Sequence, residues 1–204
     1  MSVSKHAING VTRREFLAMT AMTAAGVAVG CATNPVTGKS QLMLMDEQEE
    51  IAVDRQNAPH QLSSDYGVTQ DRALDKYIQE TGKHLATNSH RAQMPYQFHC
   101  VNANYVNAYA FPGGTIACTR GILLEVENEA ALAALLGHEL GHVNSRHTAA
   151  IMSRARLTSI AVGGLALVTS VAAGSEAGSL AGQLGQLGSG ALLASYSRDN
   201  ERQA

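Results

Sequence analysis

Apolar and polar positions along the chain fall into segments with different periods. Between Asp71 and Ala86, Leu74, Tyr77, Ile78 and Leu85 return to one side at helical spacing, which predicts a helix. From Asp46, the acidic residues Glu47, Glu50 and Asp54 with Ile51 and Val53 predict another helix, its negative first turn facing the positive end of the helix dipole. The period then changes. Tyr96-Gln97-Phe98-His99-Cys100-Val101 alternates and reads as a strand. Tyr105 to Phe111 and Thr115 to Thr119 are two further extended runs, and Pro112-Gly113-Gly114 between them supplies the turn of a β-hairpin. Asn128 is suited to cap a helix, with Glu129 in its first turn, and the spacing carries that helix to about Ser153. The order of helices and strands predicts an α+β fold with a small antiparallel sheet.

Two stretches stand apart. Arg13-Arg14 precede an uncharged run from Phe16 to Gly30 that ends at Cys31, which is the plan of a secretory signal over residues 1–30. The run is shorter than the roughly 20 apolar residues that cross a bilayer. Thr12 to Leu17 resembles a twin-arginine export signal, and Ala28-Val29-Gly30-Cys31 resembles a lipobox whose Cys31 is lipidated. The chain is then expected on the periplasmic side of a bacterial envelope, anchored through Cys31 in the outer membrane and exported by a twin-arginine or general route. Residues 31–45, with Pro35 and Gly38, are read as a tether. The second stretch, Leu157 to Ser197, carries only Glu176 as a charge. Its first part, 157–175, approaches membrane-span length, but Gly163, Gly164 and several Ser and Thr dilute it; a buried helical hairpin or a lid is expected.

Charge narrows the classes. Fifteen basic residues stand against seventeen acidic ones, net −2, and loss of Lys5, Arg13, Arg14 and Glu15 with the leader leaves 12 against 16. No basic run offers a footprint for nucleic acid, so no nucleic-acid partner is expected. Hydrophobic residues at 45% suffice for the core of one domain. Three cysteines are too few for a disulfide scaffold. With Cys31 assigned to lipid, Cys100 and Cys118 remain as a candidate disulfide pair in an oxidising compartment, or as two buried thiols.

His138-Glu139-Leu140-Gly141-His142 carries the chemistry. Four residues advance a helix by about 6 Å and return nearly to the same face, so both imidazoles reach one tetrahedral zinc ion. Glu139 lies about 100° further round, unable to join them as a ligand but able to act as general base. Leu132, Leu135 and Leu136 give the helix a buried side, and Gly137 and Gly141 leave room for another element to pack closely. A catalytic zinc needs a third protein ligand. The positions where a metzincin would supply histidine are Ser145 and Thr148. On a continuous helix His147 points roughly 180° from His138, which makes it a supporting or surface group. Glu176, Asp199 and Glu201 are the later carboxylates, and spacing does not separate Asp199 from Glu201.

Three segments together resemble the HtpX-like and BepA-like zinc metalloproteases, which are gluzincins: Asn107-Ala108-Tyr109-Ala110-Phe111-Pro112-Gly113-Gly114, then Gly137 to Val143, then Tyr196 to Ala204. Asn34 to Met45 and Ser89-His90 are similar to the exported branch. The resemblance implies a zincin-like fold, mostly helical, over residues 46–204, with one Zn²⁺ per chain. It implies His138, His142 and Glu201 as zinc ligands and Glu139 as catalytic base. It further implies that Asn107, Ala108, Tyr109, Ala110 and Phe111 form a strand that binds substrate. The family pattern continues with an Asp after Ala204, so the domain is expected to be cut short there. The function implied is hydrolysis of peptide bonds in misfolded or misassembled envelope proteins. The alternative is an assembly factor for outer-membrane proteins that keeps the metal and rarely cleaves.

Overall fold

The computed structural model describes residues 30–173 and 196–204. The proposed signal up to Val29, and Glu176, lie outside the described residues.

β1 (Cys31–Thr33) and β2 (Ser40–Leu42) form a small antiparallel hairpin. Asn34 closes its turn by accepting from the backbone N–H groups of Val36 and Thr37, and its Nδ2 donates to the Ser145 carbonyl at 3.1 Å. The segment read as a tether is therefore docked on the domain, with Met43 and Met45 packed against Ala149, Ala150 and Met152.

α1 (Glu47–Ser64) starts at a reciprocal cap in which Asp46 accepts from the Glu49 N–H and Glu49 accepts from the Asp46 N–H. α2 (Arg72–Ala86) is capped by Asp71, which accepts from the N–H groups of Ala73 and Leu74. Both helices begin one residue after the aspartates, Asp46 and Asp71, at which the sequence reading starts them. A three-stranded sheet follows, from β3 (Gln97–Val101), β4 (Ala108–Ala110) and β5 (Thr115–Thr119), in the order β3-β5-β4. β4 and β5 are the expected antiparallel hairpin. β3 joins on the other side of β5 in parallel, a choice that alternation alone does not make.

Alternation divides the sheet between two cores. Phe98, Cys100, Ala110, Ile116 and Cys118 face Ile78 and Ala86 of α2 and Leu132, Leu136, Leu140 and Val143 of the motif helix α4 (Glu129–Asn144). Val101, Tyr109, Phe111 and Ala117 face the other way, onto Ala58 and Leu62 of α1. Full burial of side chains such as Phe98, Ile116 and Leu136 stabilises the fold by about 1.5–3 kcal/mol each. The hairpin turn is held from below by Asp54, which accepts from the N–H and the hydroxyl of Thr115 at 2.9 and 2.6 Å. Gly114 there has φ +108°, a conformation that side chains with a Cβ rarely adopt.

A short α3 (Arg120–Leu123) leads to α4, capped by Asn128 as expected. The motif helix does not run to Ser153. It ends at Asn144, Ser145 caps it, and Arg146 takes φ +58° before α5 (His147–Ala173) starts. A left-handed non-glycine residue costs roughly 1–2 kcal/mol, so something must hold it. Arg146 donates from Nε to Glu50 at 2.7 Å and from Nη2 to the Met45 carbonyl at 2.7 Å. Glu50 is fully buried and is gripped from the other side by Arg91 at 2.5 Å, which leaves no uncompensated carboxylate. The stretch expected to form a buried hairpin or a lid starts within α5, where Leu157 and Ile160 are exposed rather than buried; residues 174–195 lie outside the described residues. Among the described residues no helix is long and apolar enough to cross a membrane. α6 (Arg198–Gln203) closes the described chain, capped by Ser197.

Candidate metal centre

The site is built where α4, the start of α5 and α6 meet. Helical spacing on α4 sets His138 and His142 one above the other, with their Nε2 atoms 3.2 Å apart. α6 then carries Glu201 to them. Its Oε2 lies 3.1 Å from His138 Nε2 and 3.8 Å from His142 Nε2. Asp199, which spacing left open as the alternative, faces solvent and pairs with Arg202.

These separations test the fit of a metal ion. Two ligand atoms each at 2.0–2.1 Å from a tetrahedral zinc are about 3.3 Å apart. The three distances bracket that value, and no other histidine, cysteine or carboxylate joins the group among the described residues. His138 Nε2 and Glu201 Oε2 are also within hydrogen-bonding distance, but three lone-pair-bearing atoms within 4.8 Å of one another suit a single metal ion. His138 and Glu201 retain 38% and 46% side-chain exposure, so the centre opens to solvent on that side, while His142 is buried at its back. Burial, then His147 and His138, push His142 down to about 3, so this imidazole is neutral and has a lone pair to give.

Glu139 is buried beside the three. Burial, and then the Glu201 carboxylate, raise it to about 7, which puts a proton acceptor close to neutral pH. α6 reaches this position through Gly141. A Cβ there would stand 2.4 Å from the Ala204 carbonyl oxygen, so the end of α6 lies directly on the motif helix. Among the described residues nothing lies within 4 Å of a Cβ at Gly137, so of the two glycines expected to admit a neighbour only Gly141 does so there.

β4 runs alongside α4 and is an edge of the sheet. Of the expected substrate strand, Asn107 is exposed and Ala108 half-buried, while Tyr109, Ala110 and Phe111 are buried. The outer edge of β4 carries no strand among the described residues. Its position is held from behind: Tyr109 and Tyr105 donate their hydroxyls to Asp65 at 2.6 and 2.7 Å. Burial raises Asp65, but those two bonds and one from Gln61 outweigh it and keep the carboxyl below its usual range.

Cys100 and Cys118, considered as a disulfide, are free buried thiols side by side in register on β3 and β5. Their mutual hydrogen bond lowers Cys100 and raises Cys118. Cys31 is exposed at the start of β1.

Two further groups touch the centre. His147, placed by helical extrapolation on the far side, is buried with its Nδ1 2.9 Å from that of His142, because the break at Arg146 turns it back. Tyr196 stacks on the His142 ring, centroids 3.8 Å apart and planes 15° apart, and its hydroxyl bonds Thr148 at 2.8 Å. Burial lifts that phenol to about 12, so it keeps its proton. Only the motif containing Tyr196 signalled its presence; its contact with His142 spans a segment no local pattern describes.

Comparison with known proteins supplies relatives. Residues 72–204 match the sequence model of peptidase family M48. The chain is 33% identical over 138 residues to the β-barrel assembly-enhancing protease of Yersinia pestis, covering 66% of this chain and 28% of the relative. It is 28% identical over 160 residues to the metalloprotease YcaL of Escherichia coli K12, covering 78% and 60%. It is also 33% identical over 82 residues to the mitochondrial metalloendopeptidase OMA1 of Arabidopsis thaliana, covering 40% and 17%. The chain thus spans less than a third of the length of the β-barrel assembly-enhancing protease it matches.

Proposed function

The chain belongs to peptidase family M48, and from that premise we propose that it is a zinc-dependent endopeptidase, with one ion per chain, acting on misfolded or misassembled proteins of the cell envelope. The observation that carries the reading is the convergence of His138, His142 and Glu201 on one point, with buried Glu139 beside them. His138, His142 and Glu201 would hold the zinc ion, which would supply Lewis acidity for a substrate carbonyl and for water. Glu139 takes the proton of the attacking water and passes it to the leaving amine. The open edge of β4 offers main-chain groups to an extended peptide, which needs no particular side chains and suits unfolded substrates. Asp65 keeps that edge in place through Tyr105 and Tyr109.

Location and substrate rest on other support. Residues 1–30 have the plan of an export signal ending at a lipidated Cys31, which anchors the protein at the membrane. A relative named for enhancing β-barrel assembly points to envelope proteins as the substrates.

The test is metal content and casein cleavage, wild type beside Glu139→Gln. One zinc per chain in both, with cleavage at least about 100-fold lower in the variant, is expected. Zinc in both and cleavage in neither favours the assembly-factor reading. No zinc in either overturns the site.

A further inference from the structure

We infer that His147 is a positioning residue for His142, holding that ring with Nε2 toward the metal through a hydrogen-bond chain that ends at Gln203. The inference rests on the metal-centre reading above. The chain has three members. Gln203 Oε1 lies 3.3 Å from His147 Nε2, and His147 Nδ1 lies 2.9 Å from His142 Nδ1. An amide oxygen only accepts, so His147 Nε2 carries the hydrogen. A neutral imidazole has one N–H, so His147 Nδ1 is the acceptor, and His142 Nδ1 must donate to it. That leaves the lone pair of His142 on Nε2, the atom that faces His138 and Glu201. The reverse arrangement would need a cationic His147, 2% exposed and with no carboxylate bonded to it among the described residues, and would put hydrogen on the nitrogen meant for the metal.

The surroundings serve this geometry. Tyr196 covers the face of the His142 ring and limits its rotation. α6 brings Glu201 and Gln203 together, so one docking event delivers the third ligand and the end of the chain. His147 reaches His142 only because Arg146 adopts φ +58°, held there by the buried Glu50.

The test separates hydrogen bonding from packing. Zinc affinity is measured by competition with a chromogenic chelator, and the cobalt-substituted absorption spectrum is recorded, for wild type, His147→Phe, His147→Asn and Gln203→Leu. Phe keeps the bulk and removes both nitrogens; Asn is smaller but places an acceptor oxygen near the position of Nδ1. We expect zinc affinity to fall about 10–100-fold in His147→Phe, with an altered cobalt spectrum, and to recover most of that loss in His147→Asn. Gln203→Leu should show a smaller loss. Phe binding as tightly as wild type, or Asn binding worse than Phe, overturns the inference and makes His147 a packing residue. If His147→Phe does not fold, the Asn and Leu variants decide: near-wild-type affinity in Asn with a loss in Leu supports the chain, and no loss in Leu overturns it. Failure of wild type itself to bind zinc would instead overturn the metal-centre reading.

Discussion

Gly141→Ala should remove the third ligand without touching it. The added Cβ would stand 2.4 Å from the Ala204 carbonyl oxygen and 2.8 Å from its Cα, both of them backbone atoms. Carbon atoms in ordinary contact are about 3.5–4.0 Å apart, so the end of α6 must retreat by about 1 Å. Glu201 sits on the same six-residue helix, three positions earlier, and moves with it. Ligand distances tolerate changes of only about 0.2 Å, so a retreat of that size takes the carboxylate out of coordination. Zinc affinity should fall at least about 100-fold, equivalent to about 2.7 kcal/mol. Gly137→Ala is the matched control, four residues away on the same helix and, among the described residues, with nothing within 4 Å of its added Cβ. It should bind zinc as wild type does and gain roughly 0.5–1 kcal/mol in urea unfolding, because alanine suits a helix better than glycine. Chelator competition on both variants and on Glu201→Gln gives the answer. Wild-type affinity in Gly141→Ala, with a loss in Glu201→Gln, would refute the packing argument; no loss in either would remove Glu201 from the ligand set.

Two further outcomes follow from the same structure. Glu139 is raised from 4.5 to about 7, so the metal-free folded chain holds this proton more tightly than the unfolded chain does. The stability it contributes is full below pH 4.5 and lost as pH rises through 7, a change of about 2–3 kcal/mol between pH 5 and 8. Urea unfolding in EDTA should therefore show Glu139→Gln gaining that much on wild type over the range, and a difference that stays flat with pH would refute it. Glu50→Gln leaves Arg91 and Arg146 facing a neutral amide in a buried pocket and should cost about 3–5 kcal/mol by the same assay, while a loss below about 1 kcal/mol would show the cluster to be dispensable.

Much of the centre was legible because it is local. The four-residue spacing of His138 and His142, the helix starts at Asp46 and Asp71, the cap at Asn128, and the Pro-Gly-Gly turn each depend on a few neighbouring residues. Periodicity found their elements for that reason. The family resemblance singled out Glu201, but spacing could not. Asp199 and Glu201 lie about 200° apart on one short helix, and only the docking of α6 at Gly141 decides which faces the histidines.

What tertiary structure alone decided is set by partners far along the chain. The sequence reads as one continuous helix from Asn128 to Ser153, without glycine or proline to stop it after the motif. It breaks because Glu50, 96 residues earlier, is buried where it can hold Arg146 in a left-handed turn. That break moves His147 from the far side of a helix to hydrogen-bonding distance of His142. The parallel pairing of β3 with β5 is equally invisible to alternation, which reports which face of a strand is buried and not which strand lies beside it. Local spacing specified His138, Glu139 and His142 as the candidate groups. Burial of charges and close backbone approach, both properties of the assembled fold, specified how those groups meet.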